Sequence, residues 1–411
     1  MSTPTADLQT PTDKVSMKVS PDPTLRVNEA SEVPHLKLLA DEPDVILGAD
    51  RIPAMVTIGV SPDAATCFGP RGAALMHEDG PLWVCDTGHH RLLGWKHRPV
   101  DDLAPADWVI GQKDFNREGR NGKAEISASS VNVPTGICRC GKGMAVADAW
   151  NHRVLIWLTP PESNNVPADI VLGQTDFTSG EANRGQNTAS ADSMHWPYGV
   201  HWHDGKLFVA DSENRRVLIW NTLPDRNGQP ADIVLGQTDF TSRDENAGHS
   251  PDAMSMRWPH GIAIWRDHLC ISDAGNNRIM IWRGIPQQNG QACDYVLGQE
   301  QTDLVDHNQS LYWPRANTLN MPYAITVIDD WLIVADTASS RLLGWHIEDL
   351  NTGAAARALC GQHNFHDKGD NRWQPPCANS LCWPYGIQSC GNTVVVADSG
   401  NNRISLWSFA L

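Results

Sequence analysis

Short apolar runs of four to six residues recur along this chain, rich in Val, Ile, Leu and Trp and bounded by Gly, Pro, Asn or Asp. No segment sustains a 3.6-residue apolar period, so the pattern predicts strands and not helices. Within each run the residues are apolar throughout. That is expected of strands covered on both faces, because a strand with one wet face would alternate.

The run from Val209 to Trp220 sets the pattern for the rest. It joins an apolar strand, an Asp-x-x-Asn-x-Arg turn and an Arg-Val-Leu-Ile-Trp strand. Five further copies contain Asp86 and Arg91, Asp148 and Arg153, Asp273 and Arg278, Asp336 and Arg341, and Asp398 and Arg403. With Arg216, the six arginines stand 62, 63, 62, 63 and 62 residues apart. A fixed period of this size signals a repeat architecture. Each unit opens on Pro-x-Gly or a near variant, such as Pro197-Tyr198-Gly199, and the first five close on a Gly-Gln segment such as Leu235-Gly236-Gln237. Four short strands per unit and six units predict an all-β, six-bladed β-propeller spanning residues 36–411. The last unit lacks a fourth strand, since only four residues follow Trp407. Near the other end, Gly48 lies 63 residues before Gly111, in register with Gly173, Gly236, Gly298 and Gly361. Residues 44–50 are therefore predicted to supply the outer strand of blade six and to latch the ring, which removes an exposed sheet edge.

The consensus V-A-D-x-x-N-x-R-V-L-I-W after a P-x-G start resembles the NHL family of β-propeller repeats, from about Asp44 to the carboxyl terminus. The units here are longer than the 40–45 residues of common propeller repeats. The excess lies in Asn-, Ser- and Gly-rich loops such as 175–195 and 238–257. Loops of about 20 residues without strands are expected to be functional or mobile.

Six of the 17 tryptophans end the repeat, at Trp95, Trp157, Trp220, Trp282, Trp345 and Trp407, which predicts one packing slot filled in every unit. The net charge of −16 disfavours a nucleic-acid partner. No apolar run of about 18 residues exists, so no membrane span is expected. Residues 1–35 carry Thr, Ser, Pro, Asp and Lys without an apolar signal core, and read as a disordered tail. The ten cysteines keep no register with the repeat and are expected as free thiols, several buried, in a cytoplasmic protein. Cys138 and Cys140 share one side of a strand, and Cys67, Cys377 and Cys382 fall in loops beside the ring closure, but none has paired metal-ligand spacing.

Six copies of one Asp–Arg turn cannot all be catalytic, so these residues read as scaffolding. Function is expected where the copies differ, on the face that holds the Pro-x-Gly starts and the turns. The residue after each proline should ring the channel mouth as Arg71, Thr135, Tyr198, His260, Tyr323 and Tyr385. His89, His90, Trp150 and Glu213 decorate the turns of the first three blades. This aromatic, hydrogen-bonding rim suits a protein or peptide partner. It lacks the carboxylates that a central calcium would need. No catalytic residue and no cofactor is identified. The alternative is a lyase or hydrolase with an axial metal on His89, His201 and His260, since the family resemblance includes a zinc-dependent amidating lyase. The stretch Gly136 to Lys142 imitates a phosphate-binding loop, but Gly143 replaces the Ser or Thr and a hairpin, not a helix, is predicted there.

Overall fold

Because the runs are consecutive and joined by tight turns, each pairs with the next in sequence. In the third unit Pro197–His203, Lys206–Asp211, Arg216–Trp220 and Ile233–Leu235 form one antiparallel sheet. The computed structural model describes residues 34–51 and 60–411 and contains six such sheets. They are blade 1 (72–110), blade 2 (134–172), blade 3 (197–235), blade 4 (259–297), blade 5 (322–360) and blade 6 (384–408 with Val45–Leu47). The tail expected over residues 1–35 lies outside the described residues except for Pro34 and His35. Among the described residues no helix is long and apolar enough to cross a membrane.

Side chains of successive strand residues leave opposite faces of a sheet. In blade 3, Leu207 and Val209 accordingly pack with blade 2, while Phe208 and Ala210 pack with blade 4. Every pair of neighbouring blades shares one apolar cluster, including blades 6 and 1. The repeat tryptophans sit in these clusters or close to them, and five donate Nε1–H to a carbonyl nine residues on, as Trp220 does to Gln229 at 3.1 Å. Trp407 instead donates to the Ser405 hydroxyl at 2.8 Å.

Val45–Leu47 pairs antiparallel with the last strand, Val45 opposite Leu406 and Leu47 opposite Ile404. Val45 and Leu47 pack with Val84, Leu93 and Trp95 of blade 1, so the strand both completes blade 6 and seals the ring. Closure has a polar component too. The Ser399 hydroxyl donates to the Pro70 carbonyl, and the Gly69 amide donates to Asn402 Oδ1 at 2.8 Å. One strand falls outside the repeat pattern. Leu36–Lys37 pairs in parallel with Ala358–Cys360, making blade 5 five-stranded.

Candidate partner face and axial channel

The conserved geometry of the turns comes first, because it positions everything on the upper face. In blade 3 the Asp211 carboxylate accepts from the His195 amide at 2.7 Å, Asn214 Nδ2 at 2.7 Å and Arg216 Nε at 2.8 Å. The same guanidinium donates to the carbonyls of Phe240, Ser190 and Ser193. Both charged side chains are fully buried. An ion pair out of water is tolerated only when its remaining donors and acceptors are satisfied, and here they are. Burial nonetheless raises the pKa of Asp148, Asp273 and Asp398, opposed by Arg153, Arg278 and Arg403. The turns are structural, as their repetition implies.

The long loops are built in the same way. Each holds an Asn in the left-handed region, at Asn121, Asn183, Asn246, Asn308 and Asn371. Asn183 exchanges side-chain hydrogen bonds with Asn214 at 3.0 and 2.8 Å, and Asn371 does so with Asn401 at 2.9 Å. The loop leaving one blade is thus fastened to the turn of the next.

His89 occupies the slot filled by Asn151, Asn214, Asn276 and Asn401 in other blades. Its Nδ1 lies 2.8 Å from Asp86 Oδ2 and its Nε2 lies 2.7 Å from the Val60 carbonyl. Burial opposes its charge, but the Asp86 carboxylate holds its pKa above the ordinary value. His89 is therefore a buried structural residue, with neither a partner-facing nor a ligating role. His90 is half-buried and left-handed, and its Nδ1 accepts from the Val133 amide of blade 2 at 3.1 Å. Trp150 is exposed, with the Arg120 guanidinium 4.8 Å over its ring. Glu213 is half-buried and pairs with Arg215 at 3.3 Å.

The six residues that follow the prolines do not form an open rim. Five of them meet on the axis. The ring centroids of Tyr198 and His260 are 4.2 Å apart, those of His260 and Tyr323 4.3 Å, and those of Tyr323 and Tyr385 4.7 Å. The Arg71 guanidinium lies 4.8 Å over the Tyr385 ring. Thr135 is fully buried and donates to the Tyr198 carbonyl at 2.9 Å. Tyr198 and His260 are each only 4% exposed. Strands converge at the axis, so large side chains there find one another before they find solvent. For Thr135, Tyr198 and His260 the expectation of contact with a partner at the surface is corrected. They close the channel, and only Arg71, Tyr323 and Tyr385 keep partial exposure.

Beneath this plug runs a channel of about 320 Å³, lined by the first strand of every blade. Its lower end carries the exposed residues Arg139 and His203. His201 lines it as well, with a buried Nε2 that has no hydrogen-bond partner and a pKa held down at about 4 by burial. Burial likewise holds His260 at about 3, and its Nδ1–H donates to the Trp258 carbonyl at 2.7 Å. The expected axial metal set does not assemble. His201 and His260 both face the channel but His89 is locked in its turn. Among the described residues no three His, Cys, Asp or Glu side chains converge as a metal site requires. The ten cysteines are all unpaired.

The upper face also carries the residues that precede the six prolines. The residue before each proline is left-handed, at Gly69, Val133, Trp196, Trp258, Met321 and Trp383. Three of the six are tryptophans, and the recurrent Trp-Pro pair is plain in the sequence. Trp383 is exposed, as are Phe68 and Trp373 on the sector where blade 6 meets its neighbours, while Trp196 and Trp258 are half-buried.

No curated protein matches the chain in sequence. Similar solved structures include the WD40 β-propeller domain of Doa1, at 9% identity over 89% of this chain and 96% of that one, with a TM-score of 0.45. Virginiamycin B lyase from Staphylococcus aureus gives 11% identity over 84% and 96%, with a TM-score of 0.39. Hydrazine synthase of Kuenenia stuttgartiensis gives 10% over 86% and 99%, with a TM-score of 0.46. Likeness this remote carries no argument about function. The NHL repeat profile matches residues 256–282, the opening and first three strands of blade 4. The same unit recurs in register in every blade of the ring, so the chain is a six-bladed β-propeller built of NHL-type repeats.

Proposed function

We propose that this propeller is a non-catalytic scaffold that binds a protein or peptide partner on its upper face. The observation that carries the reading is the set of exposed aromatic side chains there, Phe68, Trp150, Trp373 and Trp383, on turns and loops fixed by buried hydrogen bonds. Large aromatic side chains on a pre-organised frame contribute most of the energy at protein interfaces, because little conformational entropy is lost when they are covered. The net charge of −16 favours a partner segment that carries positive charge beside its apolar anchors. Ten free thiols, six of them buried, fit the reducing cytoplasm that this reading assumes.

The test is affinity capture from the native host with the full chain and with Trp150→Ala, Trp373→Ala and Trp383→Ala combined. Loss of one reproducible partner with an unchanged melting temperature supports the scaffold. An identical set of captured proteins for both chains overturns it.

A further inference from the structure

The plug at the top of the channel contains more polar chemistry than a plug needs. Arg71 is half-buried, and among the described residues no carboxylate pairs with it. Its electrostatic neighbours are Tyr198, Tyr385 and Tyr323. The contrast with the other arginines of the core is sharp, since each of the six repeat arginines has its own aspartate. The Tyr198 hydroxyl is buried beside Arg71, and the guanidinium is the one polar side chain within its reach, at a geometry looser than a full hydrogen bond. A guanidinium that faces a channel with only a neutral hydroxyl beside it keeps donors free for an anionic group. Further down the same wall, His201 Nε2 is a buried polar atom without a partner.

The middle of the channel is lined by Ile137, Val200, Ile262, Ile325 and Ile387, and Thr326, Gln388 and Ser389 follow toward the lower end. A pocket of about 320 Å³ with an apolar middle and polar groups at both ends has the size and composition of a small-molecule site. The charge at the closed end narrows the ligand class. Arg71 contributes one fixed positive charge. His260 is neutral, because burial suppresses its protonation, and its Nδ1–H is already committed to Trp258. Tyr198 and Tyr323 remain protonated donors, since burial pushes the Tyr198 pKa well up and that of Tyr323 to about 12. One guanidinium with neutral hydroxyl donors balances a monoanion. A phosphate dianion would be left with one of its two charges unmatched at this end.

We propose that the channel binds an organic carboxylate, its head on the Arg71 guanidinium and the Tyr198 hydroxyl and its apolar body against Val200, Ile262, Ile325 and Ile387. Entry is from the lower end, past Arg139 and His203, because the aromatic side chains close the upper end. The site is separate from the upper surface assigned to a partner, and either can exist without the other.

Isothermal titration calorimetry with benzoate and hexanoate, against benzyl alcohol and hexanol, tests the assignment. Saturable binding of both acids with Kd below about 10 mM, and at least about tenfold weaker binding of the alcohols, is expected from a charge-assisted head-group contact. Arg71→Met should abolish the preference for acids. Tyr198→Phe should weaken acid binding by about 3- to 10-fold while sparing the alcohols. The acid-over-alcohol preference of the unmodified protein stands as evidence even if a variant fails to fold. No saturable acid binding, equal affinity for acids and alcohols, or an unchanged preference in a folded Arg71→Met variant overturns the proposal.

Discussion

His152 Nδ1 accepts a hydrogen bond from the Trp196 amide at 3.0 Å, and through it blade 2 is joined to blade 3. The same joint recurs at four other blade junctions, with His, Asn or Ser as the acceptor. His90 receives the Val133 amide, Asn277 the Met321 amide, Ser340 the Trp383 amide and Asn402 the Gly69 amide. The acceptor is always left-handed, as is the residue whose amide it receives, so each joint fixes two constrained positions at once.

His152 makes this joint sensitive to pH. Burial, with the nearby His195, lowers its pKa to about 4, against about 6.5 in an unfolded chain. A protonated Nδ1 cannot accept. Between about pH 6.5 and pH 4 the unfolded chain therefore holds more protons than the folded one, so the stability present above that window is lost as pH falls through it. His201 and His260 act in the same direction, and His89, with its raised pKa, acts against them. Melting temperature should fall from about pH 7 to pH 4.5. His152→Asn, which accepts without titrating, should show a shallower fall in thermal melts across that range. Parallel curves for the two chains would remove His152 from the account.

The buried and surface ion pairs should differ widely in cost when broken. Arg216→Met leaves the Asp211 carboxylate buried without its counter-charge, and should destabilise by about 3–5 kcal/mol. Glu213→Gln breaks the half-exposed pair with Arg215 and should cost less than about 1 kcal/mol, because water screens that pair. Urea unfolding monitored by tryptophan fluorescence measures both.

The latch strand makes a comparable contrast. Leu47 is fully buried between blades 6 and 1, and Leu47→Ala should cost about 2–5 kcal/mol. Leu36 pairs in the extra strand of blade 5 but is exposed, and Leu36→Ala should stay within about 0.5 kcal/mol. Equal effects would mean that Val45–Leu47 does not close the ring.

These two strands also mark how far the sequence could be read. Val45–Leu47 was legible because Gly48 keeps the period of Gly111 and Gly173. Leu36–Lys37 has no counterpart in any other unit, so no register could reveal it. Tyr198 and His260 were placed correctly in the repeat, but a repeat position does not give the distance from the axis, and near the axis that distance decides between a wet rim and a dry plug. The loop asparagines from Asn121 to Asn371 keep the same spacing of 62 or 63 residues, so the fastening of the loops was written in the sequence too. The loops were expected to be functional or mobile because composition masks that period. His89 misled for a related reason. A histidine in place of a repeated asparagine looks like added chemistry, and it is the same hydrogen-bonding slot filled by a larger ring.

One joint is missing, and it can be supplied. In blade 3 the acceptor position is Arg215, which has only donors, so among the described residues the Trp258 amide finds no side-chain acceptor from the blade before it. Arg215 also holds φ at 54°, a conformation that Asn tolerates better than Arg. Its own pair with Glu213 is half-exposed and contributes little. Arg215→Asn places at this turn the residue that serves at Asn277 and Asn402. It should stabilise the protein by about 0.5–1.5 kcal/mol through the added hydrogen bond. The urea midpoint should rise with an unchanged slope, whereas Asn277→Ala at the next joint should lower it. A midpoint for Arg215→Asn at or below that of the unmodified chain would show that blades 3 and 4 gain nothing from this joint beyond their apolar cluster, the Ser212 to Pro259 hydrogen bond and the Asn276 to Asn246 fastening.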